Sequence, residues 1–397
     1  MEAKIETLKI EQFGPLQEAD VKIGDITLLV GPQASGKSLF IQMLNLLLDY
    51  PAILKTLKSY GFTIRNINDL LGHYLGMDMA KSWNNNSKII KDGINFNIET
   101  LTKKKPRTFE DVAFYIPAQR VLIMEEGWPR PFLSLNSYPY VVRNFSEGLR
   151  LEMETELASA KYLFPQENRL KKVISDKIQK SIFRNSTIKL ETEFKKRLVL
   201  EVNGNPTQQL PISFWSAGQR EFMPLLLGLY YLCPPSRVSR KGSIETVIIE
   251  EMEMGLHPEA INGVMFAILE LINRGYRVVI STHSLHVIEM IWAITEMKKS
   301  TVNKTAKIKA FSKLFNVDAN TPGVKQIAES SLKKECNVFY FKPEEDSGRT
   351  ITRDISSLDP SATDSMISDW GGLTEFSSNI VDIVAGLQCD EPVNPEE

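Results

Sequence analysis

The segment from Ile26 to Leu48 constrains this chain more than any other. Five residues, Ile26 to Val30, have the length and apolar content of a buried strand, and they run directly into Gly31-Pro32-Gln33-Ala34-Ser35-Gly36-Lys37-Ser38. Beyond the loop, Leu39, Phe40, Met43, Leu44, Leu47 and Leu48 recur with helical spacing. A strand, a glycine-rich loop and a helix in that order form the setting a phosphate-binding loop requires. The helix N-terminus offers unpaired N–H groups and the positive end of its dipole to an anion. Gly31 and Gly36 let the backbone curl, Lys37 is placed to reach the β- and γ-phosphates, and the Ser38 hydroxyl to ligate Mg²⁺.

The rest of the chain repeats this alternation. Leu8 and Ile10, then Val21 and Ile23, flank a Phe13-Gly14-Pro15 turn and read as two antiparallel strands. Val112 to Ile116, Thr246 to Glu250 and Arg277 to Ser281 read as further short strands, with a helix from Pro258 to about Arg274 between the last two. Strands alternating with helices imply a parallel sheet covered on its faces. The stretch 146–183 reads as helical, followed by strands at 187–194 and 197–203 that close on Asn203-Gly204-Asn205-Pro206. A late hairpin, Val338 to Lys342 and Arg349 to Ile355, precedes an amphipathic helix ending near Ala385 and an acidic tail, Asp390 to Glu397.

Three more elements carry chemistry. Thr246-Val-Ile-Ile-Glu250-Glu251 ends a buried strand in two acids, at the edge where ligands of open α/β sheets bind. Glu250 suits a Mg²⁺ held through water, and Glu251 suits a base that polarises the attacking water. Val278-Val-Ile-Ser281-Thr282-His283 ends the next strand in a histidine within reach of a γ-phosphate. Ser216-Ala217-Gly218-Gln219 opens an apolar helix with Ser216 at its N-cap, a second helix N-terminus suited to phosphate.

These four elements, in this order, resemble the ATP-binding-cassette ATPases, on the branch of SMC- and RecF-like proteins. Leu8-Lys9-Ile10-Glu11-Gln12-Phe13-Gly14-Pro15 is similar to that branch's first strands, and Ser216-Ala217-Gly218-Gln219 to the cassette signature, with Ala217 in place of the commoner glycine. Glu250-Glu251-Met252-Glu253-Met254-Gly255-Leu256-His257-Pro258 resembles the Walker B and D-loop of the overcoming-lysogenisation-defect family and related prokaryotic defence ATPases of the Septu and PARIS type. Trp370-Gly371-Gly372-Leu373-Thr374-Glu375-Phe376 is also similar to that group. Glu250 and Met252 depart from the usual Asp and Pro; a carboxylate is kept in the first case.

The resemblance implies an α/β fold, a P-loop ABC-type ATPase with a mixed central sheet, an N-terminal antiparallel β-subdomain and an inserted helical arm. Its parts would be 1–119 and 211–300 as the two halves of the ATPase domain, 120–210 as the arm with a small sheet, and 301–397 as a helix and hairpin extension. It makes ATP and Mg²⁺ the cofactors. ATP would be held by Gly31 to Ser38 of one subunit and Ser216 to Gln219 of another, with Glu251, His283 and Gln119 catalytic and Ser38, Glu250 and Gln119 on the metal. Tyr115-Ile116-Pro117-Ala118-Gln119-Arg120 is similar to the Q-loop, which puts Arg120 near phosphate. Two subunits would then sandwich two nucleotides, so at least a homodimer is expected.

Composition narrows what such a switch controls. Three widely spaced cysteines exclude a disulfide framework, and four histidines leave little for a zinc cluster. No basic-then-apolar leader opens the chain, and Phe222 to Cys233 is too short to span a bilayer, so a cytoplasmic protein without membrane contact is expected. No two aspartates stand two positions apart, which removes the Asp-x-Asp pair of a Toprim nuclease, and Glu193-Phe194-Lys195 alone makes no nuclease motif. A net charge of −2 and only short lysine groups, such as Lys103-Lys104-Lys105, give no DNA-binding face but leave nucleic acid open. The expectation is an ATP-dependent switch acting on a separate nuclease or toxin-like effector in anti-phage defence; the alternative is a DNA-repair or DNA-clamp ATPase of the RecF/SMC type.

Overall fold

The structure is a computed structural model and describes residues 4–103, 110–191, 196–203, 206–235, 239–374 and 380. Alternating apolar residues at the N-terminus form a hairpin. In it β1 (Thr7–Phe13) and β2 (Leu16–Lys22) pair antiparallel, with Leu8 opposite Val21 and Ile10 opposite Ala19. Strand β3 (Ile26–Val30) is buried at every position. β4 (Lys88–Lys91) and β5 (Ile94–Phe96) extend the hairpin sideways, and β6 (Ala113–Ile116) is a short strand far from them.

Between β6 and the Ser216 helix the chain forms a two-stranded ribbon, β7 (Met124–Glu125) and β8 (Trp128–Pro129), and a separate antiparallel sheet. That sheet holds β9 (Tyr162–Phe164), β10 (Thr187–Glu191), β11 (Arg197–Val202) and β12 (Gln208–Pro211), in the order β12-β11-β10-β9. The stretch read as continuously helical is two helices, Tyr140–Glu154 and Lys172–Ser181, with β9 between them. Three residues are too few to show a strand's period, and only pairing with β10 makes Tyr162–Phe164 one. Helix Tyr140–Glu154 packs on β6 and helix Lys172–Ser181 on the helix Pro258–Asn273, so this inserted segment lies against the body.

Four later strands complete the main sheet: β13 (Thr246–Glu250), β14 (Arg277–Thr282), β15 (Cys336–Pro343) and β16 (Thr350–Asp354). The full order is β5-β4-β1-β2-β16-β15-β3-β14-β13-β6. Pairing is parallel from β15 through β3, β14 and β13 to β6, and antiparallel across β5-β4-β1-β2, so the mixed α/β sheet is continuous. The hairpin β15–β16, from the segment after residue 300, sits inside the sheet between β2 and β3. Register aligns Glu250 with Ser281, Thr282 with Val30 and Ile249 with Ile116, so the loops after β3, β6, β13 and β14 leave from one edge.

Trp370 is buried and its indole N–H donates to the Leu358 carbonyl. Glu375, Phe376, the helix expected to end near Ala385, the acidic tail, Cys389, and Glu193-Phe194-Lys195 lie outside the described residues, as do Lys104 and Lys105 of the lysine run and Gly204 and Asn205 of the expected turn. No helix among the described residues is long and apolar enough to cross a membrane.

Candidate functional site

Gly31 leaves β3 with φ 139°, and a Cβ there would stand 2.6 Å from the Phe341 carbonyl oxygen of β15. Strand β15 thus presses against the loop so closely that only glycine fits. Gly36 adopts φ 86° as the N-cap of the helix Lys37–Ser59 and supplies no side-chain cap. Among the described residues, the backbone N–H groups of 33–38 donate to no protein oxygen, so the loop presents a ring of free donors. The Lys37 ammonium is buried and donates to the carbonyls of Gly31 (2.9 Å) and Pro32 (2.7 Å) and to Ser35 Oγ (3.1 Å). Burial pushes it down to about 8, against the pull of Glu251 and Glu253.

Glu250 ends β13 fully inside the protein. Its Oε2 accepts the Ala118 N–H at 3.1 Å, whereas its Oε1 is buried with no hydrogen-bond partner. Burial raises the Glu250 carboxyl, opposed by the nearby Ser38 hydroxyl and the Ala118 N–H. An unpaired carboxylate oxygen beside a serine hydroxyl fits a hard cation, which takes oxygen ligands and keeps several waters. No cluster of three or more His, Cys, Asp or Glu suited to a metal occurs among the described residues, so Mg²⁺ here would share its ligands with phosphate. Gln119 follows directly on Ala118 and is exposed.

The next residue, Glu251, has left-handed backbone, φ 44°, held by a 2.9 Å hydrogen bond from its N–H to the Ser281 carbonyl. Such a conformation is unfavourable for a side chain with a Cβ and clusters at functional sites. It carries the Glu251 carboxylate to 3.3 Å from His283 Nε2 at the end of β14, with both side chains partly open to solvent. Glu253 fixes the other side of this corner, accepting from Thr282 Oγ1 at 2.6 Å and from the His283 N–H at 2.8 Å. Glu253 stands in the stretch that resembles Walker B, but that resemblance announces neither its hold on this corner nor the backbone of Glu251.

Arg120 corrects an expectation. Its side chain is completely buried and donates to four backbone carbonyls: Pro117 (3.2 Å), Glu221 (3.1 Å), Glu250 (2.8 Å) and Glu251 (2.9 Å). Four of its five N–H donors are spent on these carbonyls in the interior, so its side chain serves the backbone around it. Its charge lies among Glu221, Glu250, Glu251 and Glu253, where it counters a concentration of acid and ties β13 to the Ser216 helix.

Ser216 caps the helix Ala217–Leu232 in a reciprocal box: Ser216 Oγ accepts the Gln219 N–H at 3.2 Å, and Gln219 Oε1 accepts the Ser216 N–H at 3.0 Å. Gln219 Nε2 also donates to the Ile182 carbonyl. Gly218 lies so near the turn after β13 that a Cβ would meet the Gly255 carbonyl at 2.5 Å. Ser216 and Ala217 are exposed, and Phe214 beside them is 73% exposed. The structure therefore brings together Lys37, Ser38, Glu250, Glu251 and His283. The hydrogen bonds of Ser216 and Gln219 go to each other and to Ile182, not to the phosphate loop.

This is a P-loop nucleotide-binding fold. The family model described as "AAA domain, putative AbiEii toxin, Type IV TA system" matches residues 124–289, less than half of the chain and wholly downstream of the phosphate loop. No curated protein matches the sequence. Among solved structures, an SMC head bound to the C-winged helix domain of ScpA is similar at TM-score 0.40 and 12% identity, over 89% of this chain and 97% of the other. The SMC head domain from Thermotoga maritima gives 0.32 and 10%, over 89% and 99%. An SMC head with an extended coiled coil, bound to the C-terminal domain of ScpA derived from Pyrococcus furiosus, gives 0.36 and 11%, over 96% and 99%. The fold assignment rests on the strand order and loop geometry above, not on these likenesses.

Proposed function

We propose that this chain hydrolyses ATP and uses the cycle as a switch, two copies closing on nucleotide and parting after hydrolysis. The reading is carried by Glu251 and His283 standing 3.3 Å apart at the ends of adjacent strands, beside the loop that holds Lys37. The free N–H groups of residues 33–38 bind the phosphates, and Lys37 exchanges its loop oxygens for those of the β- and γ-phosphates. Glu251 orients a water and accepts its proton as the water attacks the γ-phosphorus. The bond to the β–γ bridging oxygen breaks, giving ADP and phosphate. His283 holds Glu251 in place and faces the γ-phosphate. Ser38 and Glu250, with Gln119, would hold Mg²⁺, whose charge offsets that of the phosphates. Ser216 to Gln219 reach the nucleotide of a second copy.

The first reading of what the switch governs is a separate nuclease or toxin-like effector in prokaryotic anti-phage defence; the matching family is described as a putative toxin of a toxin–antitoxin system, which links the fold to such systems without naming an effector. The second reading, a DNA-clamp or repair ATPase, draws on a groove of about 530 Å³ lined by Lys172, Lys177 and Lys180 together with Asp176 and Glu259. Glu251→Gln should retain ATP binding, lose turnover by about 100-fold or more, and accumulate as the closed dimer, seen by phosphate release and sedimentation. Wild-type turnover in that variant removes Glu251 as the base. Capture of one partner protein by the ATP-bound variant supports the effector reading, and salt-sensitive, ATP-dependent DNA binding supports the clamp.

A further inference from the structure

We propose that Arg120 is the positioning residue for Glu251, and that it makes the base of each copy answer to the seating of that copy's Ser216 helix on the other. The proposal rests on the reading of Glu251 as the base of a two-copy ATPase, and it names what regulates that site.

A residue's backbone torsions are set by the planes of the two peptides that flank it. Arg120 grips both planes at Glu251. Its Nη1 donates to the Glu250 carbonyl at 2.8 Å and its Nη2 to the Glu251 carbonyl at 2.9 Å. Together with the bond from the Glu251 N–H to the Ser281 carbonyl, these contacts hold the φ of 44° that turns the carboxylate toward His283. A left-handed conformation at a residue with a Cβ persists only where its surroundings over-determine it. The guanidinium is one of the groups that do so.

The same side chain reaches two other segments. Nη1 also donates to the Pro117 carbonyl, directly after β6, at 3.2 Å. Nε donates at 3.1 Å to the carbonyl of Glu221, in the second turn of the helix Ala217–Leu232. The turn that carries Glu251 meets this helix a second time. The Met254 N–H closes the turn on the Glu251 carbonyl, and the Gly255 carbonyl beyond it lies 2.5 Å from where a Cβ on Gly218 would stand. Helix start and turn are tied at two points in a close-packed interior, which transmits a shift instead of absorbing it. Ser216 and Ala217 stand exposed at the same end of the helix, where a second copy would press.

Arginine suits this place for its shape. Its planar fork sends donors in several directions at once, whereas a lysine ammonium is a single point that cannot span these four carbonyls. The charge has a separate use, because Glu221, Glu250, Glu251 and Glu253 surround it. Arg120→Lys keeps the charge and loses the span.

Arg120→Lys should bind ATP and dimerise on it within about threefold of the wild type and keep its KM, while kcat falls about 30-fold or more. In the folded variant, an unchanged kcat, or ATP binding lost in step with kcat, would overturn the proposal. A second measurement leaves Arg120 intact. A ¹⁵N-labelled Lys37→Ala copy, which binds ATP too weakly to hold it at the concentration used, is paired with an unlabelled Glu251→Gln copy loaded with ATP. Hydrogen exchange is then read in the labelled copy. Seating of its Ser216 helix on the partner's ATP should slow exchange across 248–254 by about tenfold relative to the same copy alone. A mixed pair that forms without that protection overturns the coupling. Failure of any pair to form, with or without substitutions, overturns the two-copy reading and this proposal with it.

Discussion

Two helix N-termini are proposed to meet nucleotide phosphate in this molecule, and they are built in opposite ways. The helix Lys37–Ser59 starts without a side-chain cap, its loop N–H groups are free, and its lysine is buried. The helix Ala217–Leu232 is closed by its own capping box, so the Gln219 N–H is already satisfied, and Ser216 and Ala217 face solvent. An uncapped, enclosed N-terminus can take a multiply charged anion alone. A capped, exposed one keeps too few donors to do so and is suited to closing over a nucleotide held elsewhere. Phe214, exposed beside it, gives that surface an apolar anchor.

Mutating the two ends separately tests this contrast. The largest effect is expected from Lys37→Ala, which removes charge-assisted hydrogen bonds and should weaken ATP binding by about 100-fold in a fluorescent-nucleotide titration. Ser216→Arg should leave ATP affinity of the single chain within about threefold but weaken ATP-dependent dimerisation by about tenfold or more, read by sedimentation. A large loss of single-chain affinity in that variant would show that the two termini serve one nucleotide within one copy.

The smallest effect is on pH. Charged Lys37 is the form that meets phosphate, so ATP affinity should be full below about 8 and fall a few-fold as pH rises through it. The stability of the nucleotide-free chain moves the other way. An unfolded lysine keeps its proton up to its ordinary value of 10.5, so between about 8 and 10.5 the unfolded state binds more protons and stability rises with pH. Lys37→Met should flatten both profiles, measured by titration and thermal unfolding.

Much of the site was legible because it is local. Ile26 to Ser38 contains its own strand, turn glycines and helix start, and Thr246 to Glu251 its own strand and acids. Arg120 was legible as a position and misread as a role. Its neighbours in sequence resemble a Q-loop, while its four carbonyl partners include groups 101, 130 and 131 residues away. Asp49 was not legible at all: a polar residue in a helical run reads as solvated, yet it is buried and its carboxylate accepts the N–H groups of Val112 and Ala113 at the start of β6.

The sequence by itself determined the phosphate loop, the acid-ended strand, the histidine-ended strand and the capped helix, because each depends on hydrogen bonds and periodicity within a few residues. Only the tertiary structure decided how they work as a group. Parallel register set Glu250, Ser281 and Thr282 level with the loop, and the Ser281 carbonyl held Glu251 in a left-handed turn toward His283. Strand β15, more than 300 residues from Gly31, closed the loop from behind. Contacts between distant segments form only when the sheet assembles, and no short window of sequence carries them.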